Sequence, residues 1–81
     1  MKLGAKKQER WQQNWSKYGR KKGYKAQIVY HSMGKCFCFL ISKGDYSFNS
    51  CWKGWTFNTE QDCLKKCEDF IDYIVKNGEE K

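Results

Sequence analysis

The sequence predicts an α+β fold, a three-stranded antiparallel sheet with a helix at each end of the chain (α-β-β-β-α). Three patterns carry that expectation. Residues 24–52 hold three segments of two-residue alternation separated by glycine-bearing turns. Residues 59–78 carry an apolar stripe at helical spacing between a capping threonine and a glycine. Residues 5–18 place Trp11, Trp15 and Tyr18 at i, i+4 and i+7, which is one face of a helix. The 81 residues suit one domain, made of a basic amino-terminal helix and loop (1–22) and a sheet plus carboxy-terminal helix (23–81).

In chain order, the first helix ends at Gly19, which can take a left-handed cap. Tyr24 to His31 then alternates, with Tyr24, Ala26, Ile28 and Tyr30 facing one way and Lys25, Gln27 and His31 the other. Ser32-Met33-Gly34-Lys35 connects to Cys36–Ser42, which is apolar on both faces and therefore reads as a central strand. Phe37 and Phe39 share one of those faces and are expected to be buried rather than open to stacking. Lys43-Gly44-Asp45 turns the chain into a third strand, Tyr46 to Trp52. In the last helix Thr59 and Asp62 resemble a capping box, and Cys63, Leu64, Cys67, Phe70, Ile71, Ile74 and Val75 form the buried stripe.

Charge is the most informative feature for function. Residues 1–25 hold nine cationic side chains against Glu9 alone, a net of +8, while residues 26–81 hold seven lysines against eight carboxylates. The net charge of +7 thus originates in the first third. A localised positive field attracts polyanions. Lys6, Lys7, Arg10, Lys17, Arg20, Lys21, Lys22 and Lys25 are expected to form one phosphate-binding strip, with Trp11 and Trp15 anchoring the helix or stacking. A solvated, solubilising tail is the bland alternative.

Neither a secretory signal nor a run of ~20 apolar residues is present, so a cytoplasmic protein with no membrane span is expected. The five cysteines, odd in number, then read as reduced thiols. Cys36 and Cys38 share a strand face, and Cys63 and Cys67 share a helix face. If those faces met, four thiols would converge as zinc ligands. Their Cys-x-Cys and Cys-x-x-x-Cys spacings differ from the usual Cys-x-x-Cys knuckle, so no metal and no cofactor are expected. His31 is the lone histidine, and the chain shows no phosphate loop and no paired catalytic carboxylates. Catalysis is not expected.

Gly23-Tyr24-Lys25-Ala26 at the first strand and Gly54-Trp55-Thr56-Phe57-Asn58-Thr59-Glu60 before the last helix carry a resemblance. Over residues 23–75 the chain is similar to three-stranded-sheet-plus-helix DNA-binding modules, the plant ethylene-response-factor domain and the amino-terminal arm-binding domain of tyrosine integrases. The resemblance implies reading of the DNA major groove from the sheet and adds Lys25, Gln27 and Lys35 as candidates. The sheet has no arginine where those families place their basic readers. The expectation is a non-catalytic nucleic-acid-binding module, for DNA ahead of RNA. The alternative is a small protein-binding inhibitor, of the kind phages and mobile elements encode, that meets an acidic host protein through aromatic and basic residues.

Overall fold

The computed structural model describes residues 1–8 and 14–79. Five strands follow in order: β1 (Lys7–Gln8), β2 (Trp15–Lys21), β3 (Tyr24–His31), β4 (Cys36–Lys43) and β5 (Tyr46–Asn49). They form one antiparallel sheet with spatial order β1-β2-β3-β4-β5. A 3-10 turn (Ser50–Lys53) and a helix, α1 (Glu60–Asn77), complete the described chain. Among the described residues no helix is long and apolar enough to cross a membrane.

Short turns set the register. Lys21 pairs with Tyr24, which leaves Lys22-Gly23 as a two-residue loop. Both loop residues have positive φ, 51° and 86°. That is the type I′ geometry whose twist matches the flanking strands, and glycine takes its half of it without strain. Lys43 pairs with Tyr46 across Gly44-Asp45, with Gly44 at φ 60° where a type II′ turn takes glycine. The longer connection 32–35 closes on His31 opposite Cys36.

The helix covers one face of the sheet. Tyr24, Ala26, Ile28, Phe39, Ile41 and Phe48 from the strands meet Cys63, Cys67, Phe70, Ile71 and Ile74 from α1. Phe48 and Phe70 stack at 4.4 Å between centroids. Thr59 starts α1 by accepting the Asp62 N–H at 3.1 Å. The amino-terminal segment closes over β2. Gly4 donates its N–H to the Tyr18 carbonyl at 2.8 Å, and Met1 and Leu3 pack against the core. A Cβ on Gly19 would lie 3.0 Å from the Lys2 carbonyl oxygen, so any other residue here would push the amino-terminal segment outward.

The architecture corrects the expected one. The sheet has five strands rather than three, and the described part of 5–18 forms β1 and the start of β2 instead of a helix. The aromatic spacing misled because two-residue alternation puts Trp15 and Tyr18 on opposite faces of a strand. The tight Lys22-Gly23 turn lays β2 along the whole of β3, from Trp15↔Tyr30 to Lys21↔Tyr24. Ladder hydrogen bonds and aromatic side chains favour that over a helix ended at Gly19. Trp11 and Arg10 lie outside the described residues.

The expected third strand also ends early, at Asn49. The Asn49 side chain accepts the Cys51 N–H at 2.9 Å and starts the 3-10 turn, while Ser50 Oγ accepts the Phe39 N–H at 3.0 Å. Gly54 then reverses the chain at φ 74°, and Phe57 rejoins β4 through paired hydrogen bonds with Phe37.

Candidate nucleic-acid interface

The sheet separates two chemistries. Directly opposed residues on antiparallel neighbours share a face. Trp15, Lys17, Gly19 and Lys21 therefore face α1 with Tyr30, Ile28, Ala26 and Tyr24. Ser16, Tyr18 and Arg20 face away, beside Val29, Gln27 and Lys25. Lys7, Leu40 and Asn49 extend that second face on the neighbouring strands. None of the five strands contains a carboxylate, whereas α1 carries Glu60, Asp62, Glu68, Asp69 and Asp72.

This layering splits the expected basic strip. Lys17 Nζ lies 3.0 Å from a Glu60 oxygen. Lys21 and Lys22 hold the two oxygens of Asp72 at 3.1 and 3.0 Å. The hydrogen bonds from Lys22 and Lys21 keep the Asp72 carboxyl below its usual pKa. Lys6 Nζ sits 4.5 Å over the Trp15 ring. Trp15 itself stacks on Tyr30 at 5.6 Å and meets Phe37 edge-on at 5.7 Å, so it is a packing residue. Phe37 and Phe39 lie on the face that α1 covers, Phe39 fully buried and Phe37 partly.

The uncovered face keeps Arg20 and Lys25 exposed, with Lys7 Nζ 5.5 Å over the Tyr18 ring. Two aromatic side chains are exposed there: Tyr18 is 45% exposed and Trp52, on the 3-10 turn, 68%, with its ring edge-on to Phe48 at 6.3 Å. Between them runs a shallow groove of about 190 Å³ lined by Tyr18, Lys25, Gln27, Leu40, Asn49 and Trp52. A second hollow, of about 340 Å³, adjoins it at Tyr18, Arg20 and Lys25. Lys25 and Gln27 thus reach the groove, whereas Lys35 sits in the 32–35 connection at φ 50°. Sequence reasoning missed Trp52 and Leu40. It also gave Tyr18 to the packed face of a helix. The signal available was the Lys22-Gly23 dipeptide, which marks a hairpin and makes the preceding residues a strand.

The four cysteines considered as zinc ligands do not converge. Cys63 and Cys67 are buried in the core against the helix-covered face. Cys36 and Cys38 alternate with Phe37 and Phe39 and so lie on the other side, opposite His31 and Val29. Burial pushes the Cys67 thiol up to about 12 and raises Cys63 as well. Burial and then the neighbouring Cys51 push Cys38 up to about 12.

Comparison with protein-family models, curated proteins and solved structures finds no match to this chain.

Proposed function

We propose that the protein is a non-catalytic module that binds single-stranded nucleic acid across the uncovered face of its sheet. The observation that carries the reading is the pairing of two exposed rings, Tyr18 and Trp52, with Arg20, Lys25 and Lys7 on a face whose strands hold no carboxylate. Unpaired bases offer flat faces to stack on such rings, each worth about 1–3 kcal/mol. Phosphates then follow the cations alongside. Gln27, Ser47 and Asn49 supply hydrogen-bonding groups between the rings without a fixed sequence code. A single strand suits this shallow groove better than a duplex, because base faces are available only where bases are unpaired. A cytoplasmic setting goes with this reading, since it keeps the five thiols reduced.

The test is a fluorescence titration of the protein with a mixed-sequence oligonucleotide as single-stranded DNA, single-stranded RNA and duplex. Single strands should bind more tightly than duplex. Trp52→Ala should cost about 5- to 150-fold, the equivalent of one lost stack. Absence of single-strand binding at low salt sinks the proposal. A stoichiometric protein partner that survives nuclease treatment in affinity capture would then favour the protein-inhibitor reading.

A further inference from the structure

One group of side chains lies apart from the groove, at the other end of the same sheet face. Ligand atoms of His31, Cys38 and Cys51 all lie within 4.8 Å of one another. They come from three elements: the end of β3, the middle of β4 and the 3-10 turn. Cys36 stands directly opposite His31 in the ladder, two residues from Cys38 on the same face. From these juxtapositions we propose that His31, Cys36, Cys38 and Cys51 form a Cys₃His site for a thiolate-preferring metal ion, zinc in the first instance.

The donor set is one that tetrahedral structural zinc uses. With Zn–S near 2.3 Å and Zn–N near 2.0–2.1 Å, ligand atoms in a tetrahedron stand about 3.5–3.8 Å apart. The three grouped ligands therefore need a contraction of up to about 1.3 Å, and Cys36, outside that group, must turn towards them. His31 is only partly buried and Cys51 is exposed, so rotation of these two side chains can supply it. Cys38 is buried beneath them and forms the floor. Cys51 also gives the ion a way in from solvent.

The position of Cys51 is built into the fold. Asn49 caps its N–H, and the next residue, Ser50, is tied to β4 through the Phe39 N–H. These bonds bring a residue thirteen positions along the chain over Cys38, which sequence spacing alone does not disclose. The bound ion would fasten the 3-10 turn to β3 and β4. Trp52 is on that turn, so the metal would hold one ring of the proposed groove in place. The metal site does not depend on the nucleic-acid reading, because its ligands are separate from the groove lining.

Cobalt(II) is the probe that tests it. The reduced full chain, stripped of metal by chelator, is titrated with Co(II) and followed by absorption, and Zn(II) is then added. The expected result is a one-to-one complex with thiolate-to-cobalt charge transfer and the intense bands of a tetrahedral site, displaced by Zn(II). Outer partners of metal ligands are worth about 10–100-fold in affinity, so removing a direct ligand should cost at least about 100-fold. Cys51→Ser and His31→Ala, both near the surface, should show that loss while keeping the parent circular dichroism. Cys36→Ser should lose it too. A parent chain that gives no tetrahedral cobalt spectrum overturns the site. Unchanged affinity in Cys51→Ser overturns it as well, and unchanged affinity in Cys36→Ser overturns the four-ligand set.

Discussion

Replacing Arg20 and Lys25 together by alanine should flatten the salt dependence of nucleic-acid binding, whereas replacing Lys21 and Lys22 should not. The two pairs are neighbours in sequence but face opposite sides of the sheet. Arg20 lies directly opposite Lys25 across the β2–β3 ladder, on the uncovered face. Lys21 and Lys22 have their ammonium groups 3.1 and 3.0 Å from Asp72. Each phosphate contact on a single strand adds about 0.7 to the slope of log affinity against log salt. Two lost contacts should therefore reduce the slope by about 1.4. Between 50 and 200 mM salt the parent should weaken about sevenfold more than the Arg20→Ala/Lys25→Ala variant. The Lys21→Ala/Lys22→Ala slope should stay within about half a unit of the parent. The assay is fluorescence anisotropy of a labelled single-stranded oligonucleotide across a salt series, with circular dichroism to confirm both folds. Equal flattening in the two variants, or more in the second, would refute the assignment of the binding face.

Three further outcomes follow from the core and the thiols. Phe39 is fully buried among Phe48, Phe57 and Phe70, so Phe39→Ala should cost about 3–5 kcal/mol in urea denaturation; a loss below about 1 kcal/mol would contradict that packing. Under reducing, metal-free conditions near pH 8, iodoacetamide should label Cys51 first and leave buried Cys63 and Cys67 unmodified until unfolding, which peptide mass mapping would check. Stability should fall on the alkaline side. The Tyr24 hydroxyl donates to Glu79 at 2.6 Å and its pKa is raised to about 12, and burial raises Cys67 from 9.0 to about 12. The folded chain keeps these protons where the unfolded chain releases them. Stability is therefore full below about pH 9 and declines from there towards about pH 12. A urea midpoint that does not drop between pH 8 and pH 11 would contradict it.

The parts of the fold set by local pattern were legible in the sequence. The alternation from Tyr24 to His31, the two-sided apolar strand from Cys36 and the capped stripe after Thr59 lie where the pattern puts them, except that Val75, expected in the buried stripe, is 49% exposed. The first 22 residues were not legible in this way. Their aromatics fit a helical period better than a strand period, and the contact that decides against the helix is long-range pairing with β3. The same error hid the candidate face. As a helix, the basic segment presents one continuous strip; as a strand, it sends Lys17 and Lys21 to the carboxylates of α1 and leaves Arg20 and Tyr18 on the far face. The grouping of Cys51 with Cys38 and His31 depends on a turn that interrupts an apparent strand, and two-residue alternation from Tyr46 to Trp52 gives no hint of it.

The most direct test is chemical-shift mapping of the isotope-labelled chain during titration with a short single-stranded DNA at low salt. The largest shifts should fall on Tyr18, Arg20, Lys25, Gln27, Leu40 and Trp52, with the indole N–H of Trp52 moving early. Backbone signals of the outer side of α1, such as Lys65, Asp69 and Lys76, should stay in place. Shifts centred on α1, or no shifts at a large excess of oligonucleotide, would contradict the account.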